Sequence, residues 1–188
     1  MAEIRFAGYG GQGIIRSGII AGKAASIHDN KHATMSQSFG PEARGGACSS
    51  QLVISDSKVL YPYITNSDVL VAMSQAGYDK FEPEISIEGI LLYDEDLVKP
   101  KPSRGKIQAH AIPATRFAEE LGYKIVANVV MLGFFTAITS LVTYESMKKA
   151  LPGLVPEKAL QLNLKAFERG YTYGKELLEK KQSTKGLE

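Results

Sequence analysis

The chain has 188 residues, 44% hydrophobic and 22% charged, which is enough apolar material for one cored domain. Its 22 basic and 20 acidic residues give a formal net charge of +2, too balanced to favour a nucleic acid partner. A single cysteine, Cys48, excludes an internal disulfide, a four-cysteine zinc site and an iron–sulfur cluster held by this chain alone. We therefore expect a reducing, cytoplasmic setting, and the first residues lack a secretory signal pattern, so no export is expected.

The predicted elements alternate between strands and helices. A strand over residues 3–7 runs into a glycine loop, 8–13, and helical spacing follows over residues 14–27. A short helix over residues 114–121 ends at Gly122. This alternation predicts an α/β fold. Further strands are predicted over residues 33–38, 47–55, 69–73 and 89–93.

Residues 125–144 form a run of twenty residues without a charged side chain, about the length that a bilayer span needs. Polar residues interrupt the run and no second span accompanies it, so a buried helix is the better interpretation and no membrane association is expected. Asn128 is placed to be its N-cap. A helix that is apolar nearly all round must be covered by protein, and we take this one as a candidate partner interface.

The last predicted helix opens at Pro156 and Glu157, because proline is allowed in the first turn. Its apolar residues follow three- and four-residue spacing and predict a stripe that packs on the domain. We expect one domain over residues 1–180 and a frayed polar tail over 181–188. The stripe consists of Leu160, Leu164, Phe167, Tyr171 and Leu178.

The glycine loop matches the G-x-G-x-x-G phosphate fingerprint between a strand and a helix. Glycines let a backbone approach an anion, although the same residues also serve a tight turn and close packing without any ligand. An NAD site needs an acid at the end of the second strand, and Asp29 precedes that strand instead. NAD is therefore disfavoured, and the loop also lacks the Gly-Lys-Ser/Thr of a Walker A motif. The candidate binding residues here are Gly8, Gly10, Gly11, Gln12 and Gly13.

A second loop, 36–46, presents polar groups at a glycine- and proline-rich break. The planar guanidinium of Arg44 suits a carboxylate or phosphate of a ligand, but pairing with Glu42 or with a neighbouring subunit is the favoured interpretation. Cys48 is expected to be a buried small hydrophobe. No histidine stands in a motif-like relation to it, so we predict no catalytic residue and no metal site. The candidates from this loop are Gly40, Glu42, Arg44, Gly45 and Gly46.

Taken together, the two loops resemble the gamma subunit of the 2-oxoacid:ferredoxin oxidoreductases. The similarity runs through most of the chain and is more specific than the glycine fingerprint. Within the family, residues 40–46 (GPEARGG) are similar to the 2-oxoglutarate branch, whereas the pyruvate branch has a bulkier, more charged loop. The resemblance rests on residues 8–13 (GYGGQG), 36–46 (SQSFGPEARGG), 53–56 (VISD), Tyr61 with Pro62, and 128–133 (NVVMLG).

The resemblance implies a Rossmann-like, three-layer domain with a mostly parallel or mixed central sheet and a C-terminal helix. It also implies a hetero-oligomeric enzyme that converts a 2-oxoacid and coenzyme A to an acyl-CoA, carbon dioxide and reduced ferredoxin. Thiamine diphosphate, Mg²⁺ and 4Fe–4S clusters are expected in the alpha, beta and possibly delta subunits, with none of these cofactors on this chain. Both loops are then expected to face partners or the coenzyme A path. The alternative hypothesis is a free-standing dinucleotide-binding oxidoreductase, and a third is a small regulatory ligand sensor.

Overall fold

The computed structural model describes residues 1–39, 47–102 and 105–185, and its centre is a single six-stranded sheet. In chain order the strands are β1 (Ala2–Tyr9), β2 (His32–Phe39), β3 (Ala47–Ser55), β4 (Ser67–Ala72), β5 (Ile85–Asp94) and β6 (Gln108–Ile112). The helices are α1 (Ile14–Lys23), α2 (Gln75–Phe81), α3 (Ala114–Glu120), α4 (Ala127–Thr139), α5 (Tyr144–Ala150) and α6 (Leu160–Lys185). The predicted α/β class is confirmed.

The strand order is β2-β3-β1-β4-β5-β6. Strands β1, β4, β5 and β6 pair in parallel, whereas β3 pairs antiparallel with both of its neighbours. The sheet is therefore mixed, as expected. Strand β6 and helices α2 and α5 were not predicted. Strand β6 is only five residues long with two alanines among them, so its apolar alternation is weak.

The sheet separates two apolar layers of unequal size. Alternation along β1 points Ile4 and Phe6 towards the larger layer, which contains α1, α3, α4, α5 and α6, and points Ala7 towards the smaller one under α2. Five predicted strands and the helical stripe of α6 are in place. Within that stripe Phe167 is fully buried, and Leu160, Leu164 and Tyr171 pack against the core.

Helix α4 lies in the centre of the larger layer. Every residue from Ala127 to Ala137 is buried, and the cover comes from the sheet and from α6 of the same chain. The expectation that a partner subunit covers this helix is therefore wrong. Ser140 adopts a left-handed conformation with φ 52° and ends the helix, so the uncharged run is not one continuous element. Among the described residues no helix has both the length and the apolarity that a bilayer crossing requires.

The N-cap prediction for this helix is also wrong. Helix α4 begins at Ala127 and follows Val126, so Asn128 lies inside its first turn. Its side chain reaches the glycine loop instead, as described below. At the other end of the chain, α6 continues to Lys185, five residues beyond the predicted domain boundary at residue 180.

Two glycines bring the backbones of α4 and α6 together. A Cβ atom on Gly133 would lie 2.0 Å from the carbonyl oxygen of Phe167, and one on Gly170 would lie 1.8 Å from that of Val130. Both distances are far below any real contact, so the interface admits no larger residue at either position. Close packing of α4 against α6 thus depends on these two glycines.

We predict that Gly133→Ala lowers the free energy of unfolding by about 3 kcal/mol, because the added methyl group forces α4 and α6 apart. Gly22→Ala is the matched control, since Gly22 is also helical and its new Cβ would meet only the Cδ1 atom of Leu52, at 3.2 Å. That control should change stability by less than about 1 kcal/mol. Urea denaturation of both variants measures the difference, and equal midpoints would contradict the packing account.

Candidate functional site

The glycine loop connects the carboxyl end of β1, an inner strand of the sheet, to the start of α1. Gly11 and Gly13 have φ angles of 96° and 77°, in the left-handed region that favours glycine. Gly13 is the N-cap residue of α1, and no acidic residue occupies the first turn of that helix. The loop therefore presents a helix N-terminus with unpaired N–H groups and a partial positive charge.

Gln12 links the loop to the neighbouring strand. Its Oε1 atom accepts a hydrogen bond from the Tyr9 N–H at 2.7 Å, and its Nε2 atom donates to the Met73 carbonyl at 2.8 Å. Met73 directly follows β4, so this one side chain ties the ends of β1 and β4 together. In this structure Gln12 therefore stabilises the loop and the two strand ends.

Gly13 is in contact with the buried helix α4. Its carbonyl oxygen accepts hydrogen bonds from the Ser17 N–H at 2.9 Å, the Ser17 hydroxyl at 3.1 Å and Asn128 Nδ2 at 3.4 Å. A Cβ on Gly13 would lie 2.5 Å from Asn128 Nδ2, and one on Gly8 would lie 2.6 Å from Gln12 Oε1. Gly8 and Gly13 thus serve turn geometry and close packing, one of the two roles that the sequence left open.

A groove of about 1010 Å³ opens beside this loop. The N-terminal end of α1 forms one wall, and residues that precede α4 and α6 form the other. Three of the five candidate residues of the glycine loop, Gly10, Gly11 and Gly13, line it. Arg16, Lys158 and Asn163 are also among its lining residues.

The groove favours an anion. Arg16 and Lys158 are both exposed and both line it, and no acidic side chain lines it among the described residues. The helix N-terminus adds a further favourable term for negative charge. These features suit a ligand that carries phosphate groups.

The rim of the groove is apolar. Phe39, Tyr123 and Ile125 are 66%, 62% and 73% exposed, respectively, and all three border the opening. Large exposed side chains of this kind mark surfaces that bind an apolar ligand group or a protein partner. Arg16, Tyr123, Ile125 and Lys158 were not identified as site residues from the sequence, because no local motif marks them.

Cys48 also borders the groove, with 6% of its surface exposed. The prediction of a buried small hydrophobe is confirmed. Burial raises the pKa of its thiol, so the reactive thiolate is disfavoured at neutral pH.

The candidate residues of the second loop, Gly40, Glu42, Arg44, Gly45 and Gly46, lie outside the described residues. The two strands that flank them end and begin at the groove, since Phe39 and Cys48 both line it and are paired in the β2–β3 ladder. Both predicted loops therefore start from the same side of the sheet.

The strand order explains why the fingerprint does not indicate an NAD site. Strand β3 lies between β1 and β2, so the end of β2 is two strand spacings, about 10 Å, from the glycine loop. Asp29 precedes β2 at the opposite edge of the sheet, where it accepts hydrogen bonds from the Thr143 N–H at 2.8 Å and hydroxyl at 2.6 Å. Partial burial opposes ionisation of Asp29, but hydrogen bonds from Ser146 and Thr143 outweigh it and lower its pKa. The carboxylate thus holds the start of α5.

No group of three or more histidine, cysteine, aspartate or glutamate side chains is arranged to hold a metal ion within the part of the chain that the structure describes. A 4Fe–4S cluster needs four cysteine ligands, whereas the whole sequence has one. The residues of this chain therefore do not fit an iron–sulfur cluster.

The fold and groove define an α/β domain whose glycine loop and helix α1 border an open groove. The chain belongs to the pyruvate ferredoxin/flavodoxin oxidoreductase family, whose model matches residues 3–173. The 2-oxoglutarate synthase subunit KorC of Methanocaldococcus jannaschii is 49% identical over 177 residues, which cover 93% of this chain and 95% of that protein. KorC of Methanothermobacter thermautotrophicus is 42% identical over 89% of this chain and 92% of that protein.

The solved structures agree with this family. A keto/oxoacid ferredoxin oxidoreductase gamma subunit from Geobacter sulfurreducens is 42% identical and superposes with a TM-score of 0.82, covering 93% of this chain and 98% of that one. A 2-oxoglutarate:ferredoxin oxidoreductase from Magnetococcus marinus is 28% identical with a TM-score of 0.80, and the match covers 93% of this chain but 31% of that one. The predicted resemblance to gamma subunits is confirmed.

We predict that Gln12→Ala lowers the free energy of unfolding by about 1–3 kcal/mol, because it leaves the Tyr9 N–H and the Met73 carbonyl without this partner. Gln12→Glu retains an acceptor for Tyr9 but places a carboxylate against the Met73 carbonyl, so it should be no less destabilising. Gln161→Ala, at an exposed position of α6, is the control in urea denaturation. Identical midpoints for Gln12→Ala and the control would refute the bridging role.

Proposed function

We propose that this chain is the gamma-type subunit of a cytoplasmic 2-oxoglutarate:ferredoxin oxidoreductase. The enzyme would convert 2-oxoglutarate, coenzyme A and oxidised ferredoxin to succinyl-CoA, carbon dioxide and reduced ferredoxin. The observation that carries the proposal is the 49% identity to a 2-oxoglutarate synthase subunit over nearly the full length of both chains. The single unpaired cysteine suits a reducing compartment.

The partners would be alpha and beta subunits, with a delta subunit as a further component. Support comes from the relative lengths of the chains, because this chain matches about a third of the Magnetococcus polypeptide. The remaining two thirds of that polypeptide would correspond to separate subunits here. The isolated chain would be inactive, since the thiamine diphosphate and clusters that the reaction needs would lie on the partner subunits.

Thiamine diphosphate, Mg²⁺ and the 4Fe–4S clusters would all belong to the partner subunits. The chain's one cysteine cannot ligate a cluster. The similarity to gamma subunits supports the assignment of thiamine diphosphate and Mg²⁺ to the other subunits. This chain would therefore take part in assembly and in binding a substrate, and electron transfer would take place elsewhere in the complex.

Coenzyme A is the substrate that the groove fits. Its phosphate groups would lie near Arg16, Lys158 and the N-terminus of α1, where charge and unpaired N–H groups favour anions. Its long apolar and amide arm would run along the rim. The volume of about 1010 Å³ accommodates a ligand of that size. The structure of the Magnetococcus relative is described with coenzyme A and succinyl-CoA bound, which supports the same ligand class here.

Native purification tests the assembly. When the untagged chain is isolated from its own cells, we expect it to migrate with larger thiamine-binding chains that reduce ferredoxin in the presence of 2-oxoglutarate and coenzyme A. A chain that migrates alone would overturn the assignment. Saturable micromolar binding of NAD, NADP or FAD by that lone chain would favour the free-standing oxidoreductase.

Kinetics of the assembled enzyme test the groove. We predict that Arg16→Ala and Lys158→Ala each raise the KM for coenzyme A about tenfold, because each removes a charge-assisted contact to a phosphate. The KM for 2-oxoglutarate should not change. Lys165→Ala, at an exposed position of α6 away from the groove, is the matched control. Arg44→Ala tests in the same assay whether Arg44 binds a phosphate of coenzyme A. For each of the three variants, a KM for coenzyme A equal to that of the control would remove the substituted residue from the site.

A further inference from the structure

A second groove lies at the opposite end of the sheet, where β6 forms the edge. It has a volume of about 710 Å³ and runs between β6 and the last turns of α6. None of the residues that line it belongs to the glycine-loop groove. The lining residues are Gln108, Ala109, His110, Leu177, Leu178, Lys180, Lys181 and Gln182.

Strand β6 is the last strand of the sheet in the part of the chain that the structure describes, so one side of its backbone has no neighbouring strand. The carbonyl of Ile112 accepts a hydrogen bond from the Glu95 N–H at 3.0 Å, on the side of β5. Since backbone groups of successive residues alternate between the two sides of a strand, Ala109 and Ala111 direct their N–H and C=O groups outwards. Ala109 is exposed as well. Such an edge is a template for pairing with another strand.

The walls of this edge groove combine apolar surface with positive charge. Leu177 and Leu178 of α6 are half-buried, and Lys181, one turn further along the same helix, has its Nζ atom 3.3 Å from His110 Nδ1. Burial and the charge of Lys181 lower the pKa of His110 to about 4, so the imidazole is neutral at pH 7 and accepts this contact. The positive charge of Lys181 therefore has no acidic partner here, and no acidic side chain lines the groove among the described residues.

We propose that an extended segment of a partner subunit, carrying at least one acidic side chain, pairs with β6 and becomes a seventh strand of the sheet. The outward N–H and C=O groups of Ala109 and Ala111 would bind its backbone, Leu177 and Leu178 would cover an apolar residue, and Lys181 would pair with the acid. The inference rests on the proposed function in one respect, namely that the chain has partner subunits.

A second copy of this chain is a poorer occupant of the same edge. Strand β6 has the sequence Gln-Ala-His-Ala-Ile and brings no acidic side chain to its own edge. Symmetric pairing of two copies would place two Lys181 residues near one another without a carboxylate between them, and like charges in a shared groove are unfavourable. Charge complementarity thus favours a different, acidic chain.

Proline at position 109 tests the pairing directly. Because the N–H of Ala109 points away from β5, Ala109→Pro removes an outward donor and blocks an added strand while it leaves the β5–β6 ladder intact. Ala109→Ser retains the donor and is the matched control. Lys181→Glu reverses the charge in the edge groove, and Lys165→Glu makes the same change on another face of α6.

Assembly is measured by titrating each purified variant onto the complex that lacks this subunit. Wild type and the two control variants should bind equally, whereas Ala109→Pro and Lys181→Glu should bind at least tenfold more weakly. Equal binding by Ala109→Pro and wild type overturns the inference and leaves the proposed function intact. Failure of wild type itself to bind overturns the proposed function.

Hydrogen exchange on wild type keeps the inference testable if Ala109→Pro fails to fold. The amides of Ala109 and Ala111 should exchange rapidly in the isolated chain and become protected in the complex. Unchanged exchange on assembly overturns the inference. If these amides became protected in the isolated chain at high concentration and sedimentation showed dimers, the edge of β6 would pair with a second copy of this chain. That result would also overturn the inference.

Discussion

The close packing of helix α4 between the sheet and α6 is the constraint on which the rest of the structure depends. The helix is buried from Ala127 to Ala137, and two glycines let its backbone touch that of α6. Its first turn brings Asn128 to the carbonyl of Gly13, so the same helix that fills the core also fixes the loop at the groove. A change deep in this layer would therefore be felt at the site.

This arrangement gives the glycine fingerprint a different meaning from the one it has in dinucleotide-binding enzymes. Gly8 and Gly13 pack closely against Gln12 and Asn128, and Gly10, Gly11 and Gly13 line the groove. The inserted strand β3 moves the end of β2 away from the loop, which removes the position where a ribose-binding acid would sit. The same short motif thus stands in a sheet of different strand order, where it lacks the acidic partner that an NAD site requires.

Much of the fold was predictable from local patterns, because five strands, the apolar helix α4 and the amphipathic helix α6 have clear periodicity or turn signals. Strand β6 was missed because its alternation of apolar and polar residues is short and its apolar residues include two alanines. Helix α5 was missed because it begins at the end of the uncharged run 125–144, which was interpreted as a single helix. The cover of α4 was misjudged because sequence shows that a helix is apolar without showing which chain covers it. The site was only half predictable, as Lys158, Tyr123 and Ile125 reach the groove by tertiary packing alone.

A photoreactive coenzyme A analogue, applied to the assembled enzyme and followed by peptide mapping, tests the central claim most directly. We expect label on this subunit, within the loop and start of α1 or in the segment around Lys158, and we expect excess coenzyme A to suppress it. Label confined to the other subunits would contradict the account that this chain forms part of the coenzyme A site.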